Sequence, residues 1–147
     1  MTIEFLWRYI GMILLFGTCA WALWRGRPPE RWGSIIMLTG VCLTMLVQTR
    51  HLYKNGPVWD YVIVDMAALA AFVVLSLWSR RIWTIVITAF QLNAVLSHFL
   101  GRLPIAVDRY TLVTALGLWG GYGITFALIA GMCQVEWQRL VCSRLRA

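Results

Sequence analysis

VWDYVIVDMAALAAFVVLSLW, then SRR, then IWTIVITAFQLNAVLSHFL: residues 58–100 decide the fold. Each flanking run approaches the ~20 mostly apolar residues that a membrane-spanning helix needs. A link as short as Ser79-Arg80-Arg81 forces two spanning helices to be antiparallel neighbours. In lipid, backbone groups must bond within their own segment, so a helical hairpin is the only structure this stretch can form. The hairpin also carries ionisable and strongly hydrogen-bonding side chains deep in its runs: Asp65 on the first, Gln91, Asn93 and His98 on the second. Such groups are expensive in a bilayer and need partners, so they form the candidate site.

Three further runs flank the hairpin. The apolar pattern predicts helices over residues 3–24, 32–49, 58–78, 82–100 and 110–133. The breaks between them are chemically plain. Pro28-Pro29 stops the first, Asn55-Gly56-Pro57 reads as a turn, and Gly101 and Pro104 end the fourth. Composition agrees: 61% of the 147 residues are apolar and only 13% charged, against about half and a quarter in soluble domains. The mean hydropathy is +0.73. The expected fold is an all-α integral membrane bundle of five transmembrane helices (residues 1–134), followed by a short basic amphipathic tail (135–147). In that tail Trp137, Leu140, Val141 and Leu145 oppose Gln138, Arg139, Ser143 and Arg146, a pattern suited to an anionic membrane surface.

The net charge of +7 does not point to nucleic acid. The basic residues sit in clusters between apolar runs, as the positive-inside rule requires, rather than on one continuous face. Arg25, Arg27, Arg31, Arg80, Arg81, Arg139, Arg144 and Arg146 fall on one side of a five-span chain, and Arg8, Arg50, Lys54, Arg102 and Arg109 on the other. This distribution predicts the N-terminus outside and the C-terminus in the cytoplasm. Trp24, Trp32, Trp78, Trp83 and Trp137 are then expected in the cytoplasmic interfacial belt. The first run has no basic residues before it and no small-x-small cleavage site after it, so it reads as a retained helix rather than a signal peptide.

The register of the hairpin gives the candidate site its geometry. Asp65 stands 14 residues before Ser79 and His98 stands 17 after Arg81. The two differ in height by only ~4.5 Å at the helical rise. Gln91 and His98 are seven apart and share a face, whereas Asn93 and Ser97 share another, which needs a neighbour such as Thr44 and Gln48 or Thr111 and Thr114. An Asp65–His98 pair serves most often as a structural hydrogen bond that holds the hairpin. The sharper reading is a proton- or cation-binding site.

Other chemistry finds little support. A bis-histidine haem would need His51 and His98 on facing helices, yet His51 falls in the second loop. The four cysteines, Cys19, Cys42, Cys133 and Cys142, form no Cys-x-x-Cys pair. No cofactor or metal is expected, and no nucleophile motif or phosphate loop suggests an enzyme. Gly117 and Gly121 make a small-xxx-small step at which another helix, from this chain or a second one, can approach closely, and the glycine-rich run predicts a bend near Gly120-Gly121. Glu4 and Arg8 read as an interfacial ion pair.

The run Pro29-Glu30-Arg31-Trp32, with Ser79-Arg80-Arg81-Ile82-Trp83, Phe90-Gln91-Leu92 and Ser97-His98, resembles a group of short polytopic membrane proteins from alphaproteobacteria that has no assigned activity. The resemblance implies a bacterial inner-membrane setting and no catalytic residues. The functional expectation is a non-enzymatic accessory or scaffold subunit, packing with itself or with a larger membrane complex. The alternative is a small proton- or cation-coupled transporter that uses Asp65, Gln91 and His98.

Overall fold

The computed structural model describes residues 2–53, 59–100, 111, 114 and 117–144, with side chains for 9–48, 59–99, 111, 114 and 117–144. The turn at Asn55-Gly56-Pro57, the break at Gly101 and Pro104, the Glu4–Arg8 pair, the His51 side chain and the flanking basic residues Arg8, Arg50, Lys54, Arg102 and Arg109 lie outside these. All regular structure among the described residues is helical. The helices are α1 (Thr2–Arg25), α2 (Pro28–Tyr53), α3 (Trp59–Ser79), α4 (Ile82–Leu100) and α5 (Ile124–Arg144). A π-helical stretch, Gly117–Gly123, leads into α5. Its wider turn coincides with the glycine-rich run where a bend is expected. No backbone break separates residues 134 and 135, so the basic tail continues the α5 helix through Arg144.

Each of the first four helices packs on the next, and α5 closes the bundle against α4, α1 and α2. The segments Pro28–Gln48, Trp59–Ser79, Ile82–Phe99 and Gly117–Arg144 are long and apolar enough to cross a membrane, while α1 contributes the shorter apolar segment Tyr9–Arg25. The distribution of side chains suits lipid. Ile13, Ile63, Val74, Leu77, Ile82 and Ile85 lie exposed, whereas Ser34, Thr84, Gln91, Ser97 and Thr125 are buried. A water-soluble monomer does not display so much contiguous apolar surface. The buried hydroxyls are satisfied locally: Ser34, Ser97 and Thr125 donate to carbonyls one turn back, at Glu30, Asn93 and Gly121.

The α3–α4 link turns within Ser79-Arg80-Arg81. Arg80 adopts a left-handed conformation with φ of 50°, the C-terminal capping geometry usually given to glycine. The Arg80 N–H donates to Ser76 O at 3.0 Å, and the Ser79 and Thr84 hydroxyls bond across the link at 3.0 Å. Between α1 and α2, a side chain at Gly26 would place a Cβ 2.2 Å from Ala22 O, so only glycine fits. Pro28 then opens α2 at the first helical position, where its missing N–H costs nothing.

Trp83 departs from the expected interfacial belt. Trp24, Trp32, Trp78 and Trp137 are exposed, but Trp83 is buried. Glycines on both sides explain why. A Cβ at Gly33 on α2 would sit 3.0 Å from the indole, and one at Gly131 on α5 would sit 2.8 Å from it. The ring is therefore a wedge that α2 and α5 close on, against a core of Cys19, Phe72, Ile87, Leu128 and Met132. The intrachain close approaches thus fall at Gly33 and Gly131. Among the described residues nothing lies within 4 Å of a Cβ at Gly117 or Gly121.

The basic ends of the helices meet at one end of the bundle. Glu30, fully buried, accepts from Arg81 Nη1 at 2.6 Å and from the Arg27 N–H at 3.1 Å, the second bond being the glutamate half of a capping box. Arg25 grips Glu136 of α5 with Nε at 3.2 Å and Nη2 at 3.4 Å. Arg27 Nη1 donates to Gln138 at 2.9 Å, and Arg139 Nη2 donates to Arg25 O at 2.7 Å. The buried pair makes an asymmetric prediction. Arg81→Met strands a carboxylate with no exposure and should cost about 3–5 kcal/mol. Glu30→Gln keeps a side-chain oxygen for the Arg27 N–H and leaves a partly exposed guanidinium, so its cost should be smaller. Thermal unfolding of both variants in detergent tests this; an Arg81→Met effect no larger than that of Glu30→Gln refutes it.

Candidate functional site

Helical spacing builds the site. On α3, Tyr61, Asp65, Ala68 and Phe72 recur at steps of four, three and four. On α4, Gln91, Ala94 and His98 do the same. On α2, Gly40, Thr44 and Gln48 are each four apart. Each set occupies one helical face, and the three faces turn toward one another around a cavity of about 380 Å³. Met12 of α1, Gly120 of the π-helical stretch and Ile124 of α5 complete its wall.

Asp65 is the centre of the polar side. Its Oδ2 lies 2.6 Å from His98 Nε2, so a proton is held between the two groups. Its Oδ1 accepts from Gln91 Nε2 at 3.2 Å, and the same amide reaches Asp65 O at 3.1 Å. Gln91 is buried, whereas the Asp65 side chain keeps 29% of its surface and His98 keeps 10%. The carboxylate is thus fixed by two donors on α4 and still faces open space. It has about four lone-pair positions, of which these donors use two. The thioethers of Met12, Met37 and Met45 and the rings of Tyr61 and Phe72 line the rest. The Thr44 hydroxyl donates to Gly40 O at 2.9 Å, so its oxygen still offers acceptor capacity.

Three of the four polar residues read from the sequence therefore meet. The fourth does not: Asn93 is exposed, and its backbone carbonyl accepts from Ser97 at 2.8 Å. Two positions after Gln91 it is turned about 200° around the helix, away from the cavity. Thr44 and Gln48, expected beside Asn93 and Ser97, instead face Asp65 across the cavity. Tyr61 and Phe72 are legible as Asp65 minus four and plus seven, a periodicity overshadowed by the apolar run around them. Among the described residues no group of three or more His, Cys, Asp or Glu side chains could hold a metal ion. Cys19, Cys42, Cys133 and Cys142 are all free.

Comparison with protein-family models, with curated proteins and with solved structures found no match to this chain.

The Asp65–His98 contact should register as a coupling. In a double-mutant cycle of Asp65→Asn and His98→Gln, the stability changes should fall short of additivity by about 0.6–2 kcal/mol, the range for interhelical hydrogen bonds in membranes. Chemical or thermal unfolding in detergent provides the measurement, and strict additivity would show that the two groups do not interact.

Proposed function

We propose that this chain is a small carrier of the bacterial inner membrane, with five spans, the N-terminus outside and the C-terminus in the cytoplasm. Its Asp65–Gln91–His98 cluster binds a solute in exchange for a proton. The observation that carries this reading is the convergence of a carboxylate, an imidazole and an amide on one intramembrane cavity. A purely structural polar pair would be closed off, as Ser34 and Thr125 are, rather than left facing some 380 Å³ of space. Ionisable groups in membrane segments mark ion and substrate paths by default. Of the described residues around the cavity, only Asp65, His98 and Tyr61 carry ionisable side chains, so proton exchange would be centred on the Asp65–His98 pair.

Five spans and the orientation are supported by the end of the bundle where Arg25, Glu30, Arg81 and Glu136 meet. The C-terminal end of α1, the start of α2, the α3–α4 link and the later part of α5 lie there together, as antiparallel passes require. That end also holds the larger share of the arginines, the cytoplasmic signature. The cavity then belongs to the outer half of the membrane.

The test is proton flux in proteoliposomes that enclose a pH-sensitive dye, with a panel of amines, amino acids, sugars, organic acids and monovalent cations added outside. At least one class should evoke a proton flux above that of protein-free liposomes, whether or not the exchange moves net charge. Asp65→Asn should lower it about tenfold to a hundredfold, the scale of a hydrogen bond to a charged group. No such flux from any class would reject the carrier.

A second reading, an accessory subunit docking through the bundle surface on itself or a larger complex, is favoured by one observation. Gly117 and Gly121 form a smooth step with open space before it. Gly121→Leu should then shift the mass of the detergent-solubilised complex to that of the monomer; an unchanged mass would reject this surface.

A further inference from the structure

The chemistry of the cavity narrows what it can hold. Among the described residues its only full charges come from Asp65 and His98, and the two sit side by side in one corner. With neutral imidazole, whose own N–H makes the shared hydrogen bond, the corner carries one negative charge, and one further proton brings it to none. Among the described residues an anion has no cluster of cationic donors to meet. A bare metal ion is equally unsuited: hard cations take six or more oxygen ligands, and a set of three acidic or imidazole ligands is lacking among the described residues. The remaining wall is apolar and polarisable, with Met12, Met37, Tyr61 and Phe72 among its members. Such a wall suits the body of an organic molecule. A volume of about 380 Å³ is at the lower end of the 300–1,000 Å³ typical of small-ligand sites.

We infer that the cavity binds a small lipophilic organic ammonium, its nitrogen on the open lone pairs of Asp65 and its apolar body among Met12, Met37, Tyr61 and Phe72. This assignment rests on the reading of the cavity as a carrier's binding site, and it adds the substrate class. Gln91 and His98 each hold one carboxylate oxygen from the α4 side, so the group cannot rotate and its remaining lone pairs stay available to the incoming N–H groups. The oxygens of Thr44 and Gln48 supply further acceptors on the facing wall.

Equilibrium dialysis of radiolabelled phenethylamine against the purified full chain tests the inference, with 2-phenylethanol and phenylacetate as the neutral and anionic counterparts. The amine should bind at least about tenfold more tightly than either, the least that a charge-assisted hydrogen bond provides. Asp65→Asn should remove that preference. Gly40→Leu guards against misfolding as the cause: Gly40 lines the cavity and a Cβ there meets no atom within 4 Å, so a leucine should fill the space, leave Asp65 and the thermal unfolding curve unchanged, and still abolish amine binding. Equal binding of amine and alcohol, preference for phenylacetate, binding unaffected by Asp65→Asn, or no binding at all would each overturn the assignment.

The same chemistry is carried by the headgroup of phosphatidylethanolamine. Repeating the measurement in phosphatidylglycerol nanodiscs with and without that lipid separates the sources. Competition by the lipid assigns the site to a headgroup, and undiminished binding assigns it to a soluble amine. The outcome is independent of transport. Amine binding without proton flux from any solute overturns the carrier and leaves the ammonium site standing, whereas an Asp65-dependent proton flux evoked by a sugar or an acid, with no amine binding, does the reverse.

Discussion

Three residues join α3 to α4, and that brevity governs what the two helices can set opposite one another. With Ser79-Arg80-Arg81 as the only slack, the helices cannot slide, and Asp65 must lie level with the later turns of α4. The link is itself held under tension. Arg80 occupies the left-handed region, at a cost of roughly 1–2 kcal/mol for a residue with a Cβ. Its neighbour Arg81 reaches the buried Glu30 at 2.6 Å, so the turn is fastened to the first turn of α2. Fastening the link to α2 also fixes α2 against the hairpin, which places Gly40, Thr44 and Gln48 across from Asp65. The polar site is thus a consequence of register imposed some 20 Å away, at about 1.5 Å per helical residue.

Packing in lipid has to proceed without the hydrophobic effect, because acyl chains are as apolar as leucine. Close van der Waals contact does the work instead, and Trp83 between Gly33 and Gly131 is its clearest instance. The two missing Cβ atoms let α2 and α5 close on both sides of one large ring. Toward the other end of the bundle the same kind of residue has the opposite effect. Among the described residues a Cβ at Gly40 would meet nothing within 4 Å, and one at Gly120 would meet Ala94 at 3.4 Å. Beside them the π-helical turn brings Trp119 to stack on Phe90 at 5.6 Å, while Gly123 seats that phenylalanine. Glycine filled by a neighbour's ring makes the wedge, and glycine left unfilled makes the cavity.

How far the sequence discloses this follows from distance along the chain. The Asp65–His98 contact is readable because the link is short and the helical rise constant: a height difference of ~4.5 Å lies within side-chain reach. Gln91 follows from sharing a face with His98. Asn93 illustrates the limit, since a polar residue in an apolar run draws attention whichever way it points, and only the facing of α4 within the bundle shows that it turns outward. Trp83 fails for a related reason: a tryptophan near a basic loop has the same sequence signature in an interfacial belt as in a glycine-lined slot. Glu30 and Arg81 are 51 positions apart, and no periodicity connects two loops. A count of charges by side of the membrane could have suggested the pair, because Glu30 is an acid set among the arginines of one end. The glycine step at Gly117 and Gly121 signals close approach without naming the partner, and among the described residues none lies within 4 Å of a Cβ there.

The two ends of the bundle are not alike, and the difference bears on how a carrier of this shape would work. A solute at Asp65 has Phe72, Ile87, Leu128 and Met132 between it and the arginine-rich end, where ion pairs tie the helices. Those ties differ in kind. Arg25–Glu136 joins α1 to α5 through side chains that remain substantially exposed, and pairs of that sort contribute about 0–1 kcal/mol. Glu30–Arg81 joins α2 to the α3–α4 link through a carboxylate with no exposure, and separating it leaves an uncompensated charge at a cost of several kcal/mol. If access to Asp65 alternates between the two sides, the weaker joint is the one that must give. Opening between α1 and α5 breaks polar ties that are all exposed, together with the packing of Leu15, Cys19 and Ala22 against the core. It leaves α2, α3 and α4 as one body with Asp65, Gln91 and His98 undisturbed on it, so the binding geometry survives the motion that exposes it.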